Sequence, residues 1–600
     1  MNVVRKGDEL QANNSPAKAW LRALEMTAPI ARHRDRILFN VIEEVAATRG
    51  DAPALLSDRE TLSYSALIAR ANRYARWALD QGLKKGDCVC LMMTNRPEYF
   101  AIWLGMTSVG VVVSLLNTNL TGSSLVHCIS AVDAKCILVS SDFAETIHAA
   151  TPQLEATPSI WSYGENRQNS PRIDRAVESY SAEPFQRPEH SLPSVDDHAL
   201  FIYTSGTTGM PKAAHVSHAR TMQWSHWFAG MMNVQSADRM YNCLPMYHSV
   251  GGVQVQGAML VAGGSVVLRE KFSASQFWDD VVRWDCTLFQ YIGELCRYLL
   301  HTPHSANETR HAIRLACGNG LAAKIWEPFQ ERFRIPQILE FYAATEGSVS
   351  LFNAQGKAGA IGHIPSYLTH RFSPALIAID PDEGQPLRNE QGFCTPCAVN
   401  QAGEALGKIK SDPAAIGSRF EGYTSTEASE KKILRNVFEV GDAWFRTGDL
   451  MRKDEKGFYY FVDRIGDTFR RKGENVATTE VAEIVCKYPG VEHANIYGVE
   501  VPHAEGRVGM AAIVAAEGFD LGGLSHHLRA SLPPYARPAF LRICKSADLT
   551  GTFKYSKTEL LRQGYDPDAC GEPLFFAGTD SFEPLDAELY QRIRRGEIRL

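Results

Sequence analysis

Between Ala52 and Tyr342 short apolar runs alternate with longer amphipathic segments, and this pattern restricts the fold more than any other feature. Asp87–Met93, Val111–Ser114, Lys135–Ser140, Asp238–Pro245, Ser265–Leu268, Cys286–Ile292, Ile313–Ala316 and Ile338–Tyr342 read as buried strands. A helix begins at Thr61–Tyr64 and runs to about Gln81. Others are expected over Pro97–Val109, Ser123–Val132, Gly251–Val261, Ser273–Trp284 and Ala323–Arg334. Strands this apolar, separated by helices, imply α/β layers with substantial parallel sheet.

A chain of 600 residues exceeds one ordinary core, so two or more domains are expected. Composition changes after Asp463. The charged run Arg464 to Glu474 opens a unit with helices at Thr479–Tyr488 and Gly522–Ser531 and strands at Ala494–Val501, Gly509–Ala515 and Ala539–Cys544. The predicted organisation is a large multi-subdomain α/β N-terminal domain over 1–463 with mostly parallel sheets. A smaller, mobile α+β domain follows over 464–600. The first 30 or so residues read as a surface helix or tail, amphipathic around Trp20 to Ile30, and 151–197 as an irregular excursion rich in Pro, Ser, Asn and Glu.

A net charge of −6 argues against a nucleic-acid partner. The 13 cysteines form no disulfide framework and no secretory signal opens the chain, which points to a reducing, cytoplasmic setting. The longest apolar stretch, Ala101 to Leu116, carries Gly105, Thr107, Ser108, Gly110 and Ser114 and falls short of the roughly 20 residues of a spanning helix. Cys394 and Cys397 form a CxxC without the second pair that a zinc site needs. The tail arginines Arg592, Arg594, Arg595 and Arg599 are either a solvated helix end or a peripheral contact with anionic lipid.

The chemistry is concentrated after the strand ending at Tyr203. There Thr204, Ser205, Gly206, Thr207, Thr208 and Gly209 are all hydroxyl residues or glycine, with Pro211 and Lys212 behind them. Glycines allow backbone N–H groups close to an anion. Successive N–H groups form a concave anion site, the hydroxyls add donors and Lys212 adds a point charge. Such a loop suits a polyphosphate. It is not a Walker A loop, because Gly206 and Gly209 are three apart and Ala213 follows the lysine.

Further along, Tyr342 could stack on a base, Thr345 could bind phosphate and Glu346 could hold Mg²⁺, though a strand-end Thr-Glu is equally a turn or cap. Asp449, behind the tight turn at Gly448, could accept both hydroxyls of a ribose or simply close the turn. Arg464 suits ribose or phosphate, or belongs to a solvated charge run, and Gly466 beside it could be a hinge. Lys554, on a Gly/Thr loop, says nothing by itself.

Together and in this order, YTSGTTGMPK, YAATEG, TGDL, DRIGDTFRRKGENV and TGTFK resemble the signature blocks of the adenylate-forming superfamily of acyl-CoA synthetases, luciferases and peptide-synthetase adenylation domains. The resemblance covers about residues 50 to 562. GDTFRRKGENVATTEV and TGTFKYSKTEL are similar to its fatty acid transport protein branch, the long- and very-long-chain acyl-CoA synthetases, which also holds bile-acid CoA ligases.

The resemblance implies ATP, Mg²⁺ and CoA as co-substrates and cofactor, with a fatty or other apolar acid as substrate. Thr204 to Gly209 and Lys212 would hold the ATP phosphates. Tyr342 would stack on adenine beside Gly318, Asn319 and Gly320. Thr345 would touch the α-phosphate, Glu346 would bind Mg²⁺, and Asp449 and Arg464 would hold the ribose. Lys554 would bridge carboxylate and phosphate, His248 would lie beside the acyl group, and Gly473 would border pantetheine. Gly466 stands where the superfamily often has Asp or Lys. Alternatives are a fatty-acid uptake protein acting by vectorial acylation at the inner membrane, or a bile- or steroid-acid CoA ligase.

Overall fold

A computed structural model describes residues 15–204, 210–347, 349–372, 374–380, 384–410, 419–472, 474–504, 506–545, 557–578 and 581–598. The chain divides into two compact units. The first is 1–373 with 407–434 and 443–445; the second is 374–406, 435–442 and 446–600. The boundary expected between Asp463 and Arg464 falls inside the second unit.

The first unit holds two mainly parallel sheets. Its strands in chain order are β1 (Pro53–Leu56), β2 (Thr61–Ser63), β3 (Cys88–Met92), β4 (Val112–Leu115), β5 (Ala134–Ser140), β6 (Ser159–Tyr163) and β7 (His198–Thr204). They continue with β8 (Lys212–Ser217), β9 (Arg239–Asn242), β10 (Ser265–Leu268), β11 (Leu288–Ile292), β12 (Leu315–Asn319), β13 (Ile338–Ala343) and β14 (Ser350–Asn353). One sheet runs β6-β5-β3-β4-β7-β8, the other β14-β13-β12-β11-β9-β10-β1-β2. Pairing is parallel throughout each sheet except at the ends, where β8, β14 and β2 run antiparallel. The central strands are buried on both faces, which is why they read as continuous apolar runs.

Three stretches differ from expectation. Residues 16–27 are packed along one face rather than lying free on the surface. Helix α1 (Pro16–Thr27) buries Trp20 completely against the rings of Trp227, Phe352 and Phe372. Its Ala23 lies so close to Gly230 of helix α2 (His218–Met232) that a Cβ on Gly230 would sit 2.5 Å from Ala23 Cα. Ala19 and Ala23 are buried on the same face. Within 151–197, Ser159–Tyr163 is a true edge strand, parallel to β5 with Ile160 opposite Ile137. And Thr61–Ser63 is a strand; the helix starts at Tyr64, capped by Ser63.

Phe458–Arg464, Ala443–Lys453, Gly403–Lys408 and Ala375–Ile377, most of whose residues belong to the second unit, are consecutive strands of one sheet. A short hairpin, Phe469–Arg471 with Glu474–Val476, follows. A five-stranded mixed sheet comes next (Val491–Glu500, Arg507–Ala515, Phe540–Cys544, Leu574–Ala577, Phe582–Pro584). The helices Thr478–Val485 and Leu521–Ser531 bury Val481, Val485, Leu524 and Leu528 in its core. Among the described residues of the chain no helix is long and apolar enough to cross a membrane.

Candidate functional site

In the first unit the expected site residues sit at the C-terminal ends of parallel strands, the usual ligand edge of such sheets. Thr204 ends β7 and Lys212 begins β8, directly opposite each other in register. The hydroxyl-glycine loop therefore joins an antiparallel pair; Ser205, Gly206, Thr207, Thr208 and Gly209 lie outside the described residues.

A residue not singled out from the sequence lies beside this pair. The segment around Tyr423 lies along β8. His215 N–H donates to Gly422 O at 3.0 Å, Thr424 N–H donates to Ala213 O at 3.1 Å, and Ala214 faces Tyr423. The Tyr423 ring lies 5.6 Å from Lys212 Nζ, and its hydroxyl donates to Glu346 Oε1. The Thr204 side chain lies close to the same hydroxyl. Burial, with the Glu346 carboxylate behind it, pushes the phenol far above its ordinary range, so it remains a donor.

The loop after β13 carries Thr345, Glu346 and Gly347, and a second unforeseen residue fixes its backbone. Arg220, on α2, donates through Nη1 to Thr345 O at 2.8 Å and Gly347 O at 3.0 Å. Its Nε is 3.3 Å from Glu421 Oε1, with both side chains buried. Glu421 in turn accepts from Ser217 N–H at 2.7 Å and Ser217 Oγ at 2.6 Å. The arginine thus ties the Thr-Glu-Gly turn to the corner between β8 and α2. Gly347 is required here: a Cβ would lie 2.2 Å from the Phe445 ring.

Gly318 and Asn319 end β12, and Gly320 turns the chain at φ +79°. The turn is held by Glu340 of β13, which is fully buried. Its Oε1 accepts from Gly320 N–H at 2.5 Å and Leu321 N–H at 3.2 Å, and its Oε2 accepts from Tyr291 Oη. Tyr342, two residues on and hence on the same strand face, is partly exposed opposite Leu351. Desolvation pushes the Glu340 carboxyl up to about 8, against the Tyr291 and backbone donors. A carboxyl whose folded value exceeds its unfolded value stabilises the fold fully below the ordinary carboxylate range. That contribution is lost as pH rises through the folded value. Glu340→Gln is therefore expected to flatten the fall of the thermal midpoint between about pH 5 and 8. Scanning calorimetry across that range checks it; an unchanged slope would place the titration elsewhere.

His248 follows β9, its ring 4.6 Å from that of Tyr247. It caps a π-helical turn, Ser249–Gln254, rather than the α-helix expected from Gly251; the α-helix covers Val255–Leu260. Glycine is needed at 252, where the backbone approaches closely: a Cβ there would fall 1.9 Å from Met246 O. Ser249 Oγ lies 3.4 Å from Thr345 Oγ1, which draws the His248 corner to the same edge as the Thr-Glu loop.

In the second unit Asp449 and Arg464 face each other on neighbouring strands, Nε 3.5 Å from Oδ1. Gly448, inside the strand Ala443–Lys453 rather than in the expected tight turn, has φ +76°, and its N–H donates to Glu404 Oε1 at 3.3 Å. Glu404, itself buried, is gripped by Arg446 at 2.7 Å. Asp463 caps the helix Thr478–Val485 through Thr478 N–H at 2.5 Å and Thr478 Oγ1 at 3.0 Å. Gly466 has φ +94° and open space where a Cβ would be. Lys557 is held 3.1 Å from Asp467 and donates to Thr478 Oγ1 at 3.0 Å. Gly473 and Lys554 lie outside the described residues. Burial raises the Cys394 thiol and pushes Cys397 up to about 11, so neither is a ready nucleophile.

The AMP-binding enzyme family profile matches residues 42–392, and that of the AMP-binding enzyme C-terminal domain matches 480–554. Long-chain fatty acid transport protein 1 of Mus musculus is 40% identical over 545 residues, 90% of this chain and 84% of that protein. Long-chain fatty acid transport protein 2 of Rattus norvegicus is 38% identical over 588 residues, 96% and 94%. Among solved structures, the anthranilate CoA ligase AuaEII in complex with anthranoyl-AMP superposes with a TM-score of 0.73 at 18% identity, covering 88% of this chain and 96% of that one. ATP-bound MatB from Rhodopseudomonas palustris superposes with a TM-score of 0.72 at 22% identity, covering 89% and 100%. These structures share the fold: mixed α/β, a large N-terminal part with mostly parallel sheets and a smaller C-terminal one. The chain belongs to the AMP-binding enzyme family, within the group of the long-chain fatty acid transport proteins.

Proposed function

We propose that the protein is an AMP-forming acid–CoA ligase acting on long- or very-long-chain fatty acids. The observation that carries this reading is the convergence of Thr204, Lys212 and Glu346 on one point beside the hydroxyl-glycine loop. The fatty-acid part rests on what the relatives at 38–40% identity are named for.

A carboxylate is a poor electrophile, so the acid is activated first. Its oxygen attacks the α-phosphorus of ATP, the bond to the β-phosphate oxygen breaks, and pyrophosphate leaves with the electron pair. The thiolate of CoA then attacks the acyl carbonyl, and AMP leaves. In the first step Lys212 and the loop N–H groups would hold the phosphates, Thr345 would touch the α-phosphate and Lys554 would bridge the attacking carboxylate and that phosphate. Tyr342 would stack on adenine beside Gly318–Gly320, and Asp449 and Arg464 would hold the ribose. His248 would lie by the acyl group and Gly473 by pantetheine.

Glu346 suits Mg²⁺. Among the described residues no group of three or more His, Cys, Asp and Glu could hold a metal, and a single buried carboxylate is the donor set for an ion that takes its other ligands from phosphates and water. Bound there, the ion would neutralise phosphate charge.

Two steps at one carbonyl need different surroundings, and rotation of residues 464–600 about Gly466 would supply them. Proline fixes φ near −65° and cannot take the +94° of Gly466. Gly466→Pro is therefore expected to slow thioester formation more than adenylation, measured as separate half-reactions. An equal loss in both would count against the hinge.

The names of the relatives also favour a second reading, uptake by vectorial acylation at a membrane. A pyrophosphate-release assay on acids from short to very long, with a bile acid included, tests the ligase. The expected result is CoA-dependent release of AMP and pyrophosphate that peaks with long acyl chains. No turnover with any acid would sink the proposal, and a peak on the bile acid would move it to a steroid-acid ligase. Loss of uptake in Lys554→Ala with ligation intact would favour transport.

A further inference from the structure

We infer that Tyr423 is a positioning residue of the nucleotide site: its hydroxyl aims the Glu346 carboxylate at the metal–phosphate group. The inference rests on the ligase reading above. Glu346 is 8% exposed, and among the described residues Tyr423 is the sole hydrogen-bond donor to its carboxylate. The bond takes Oε1 and leaves Oε2 for a cation. A lone buried carboxylate with no second donor would swing between rotamers, and a metal ligand that swings is a weak one. Partners that orient a ligating carboxylate in this way matter nearly as much as the ligand.

The placement of Tyr423 fits that role better than simple packing. Among the described residues its hydrophobic cluster is small, with Ala214 and Ala428 beside it. Its backbone is fixed twice, by the bridge to Ala214 and by its N–H donating to Ser429 Oγ at 2.9 Å. That same bridge anchors it to β8, the strand that leaves the phosphate loop. Its ring sits under Lys212, and its hydroxyl lies close to Thr204. One side chain thus touches both flanks of the loop and the carboxylate. Arg220 complements it: it fixes the backbone carbonyls on either side of Glu346, while Tyr423 fixes the side chain. Both are tied to residues 419–423, since Arg220 pairs with Glu421.

The test uses the full chain, Mn²⁺ as the metal and a non-hydrolysable ATP analogue, with bound Mn²⁺ read by electron paramagnetic resonance. Tyr423→Phe keeps the ring against Lys212 and Ala214 and removes only the hydroxyl. It is expected to weaken Mn²⁺ binding in the nucleotide complex about 10-fold, with the Mg²⁺ requirement of pyrophosphate release rising by a like factor. Glu346→Gln is expected to weaken binding as well, and adding Tyr423→Phe to it to change little more. Full binding in Tyr423→Phe, or losses that multiply in the double variant, would overturn the inference and leave the ligase reading standing. Failure of the unaltered protein to bind Mn²⁺ with the nucleotide would overturn both.

Discussion

Replacing Lys554 with alanine is expected to cut acid-dependent pyrophosphate release by about 100- to 1000-fold, the usual cost of one donor aimed at developing charge. The carboxylate attacks a phosphorus already surrounded by negative oxygens, and the ammonium group would bring both anions together. The thioester step needs no such bridge. Synthetic acyl-adenylate supplied with CoA should therefore be converted at close to the normal rate. If both half-reactions fell together, Lys554 would be supporting the fold or binding CoA. If neither fell, another cation would carry the adenylation step, and the match of TGTFK to the family's lysine block would be without functional content.

The second large effect is on stability. Arg220→Met would keep much of the buried volume and remove the charge. Glu421 would then hold a buried carboxylate without its cation, and the carbonyls of Thr345 and Gly347 would lose their donor. Breaking a buried pair from one side costs about 3–5 kcal/mol. All 10 tryptophans lie in the first unit, so their fluorescence follows its unfolding in urea. The expected result is a fall of that size in the transition they report. The double variant Arg220→Met with Glu421→Gln should lose less, because the stranded charge is gone. A loss below about 1 kcal/mol in the single variant would mean that water reaches the pair and that the Thr-Glu-Gly turn is held by something else.

Much of the fold was legible, and for stated reasons. Strands such as β3, β5 and β11 announce themselves because both of their faces are buried. The edge strand β6 was missed because its exposed and half-buried side chains blend with the polar stretch around it. The amphipathic stretch around Trp20 was legible as a helix, but its docking was not: Trp20 finds its aromatic partners at 227, 352 and 372, far along the chain. The π-helical turn after His248 could not be foreseen, since Gly252 and the Met246 carbonyl come together only in the folded chain.

The chain alone determined which short runs hold the reactive groups; Thr204, Asn319 and Tyr342 lie at or near strand ends, where polar residues or glycine follow apolar ones. Tertiary structure alone decided what holds them. Tyr423 meets Glu346 across 77 residues and Arg220 meets Thr345 across 125. Glu340 reaches the Gly320 turn from the next strand of the sheet. A hydrogen bond between distant residues leaves no periodicity or spacing to read; it exists only once burial has removed water and brought the two polar groups to face each other.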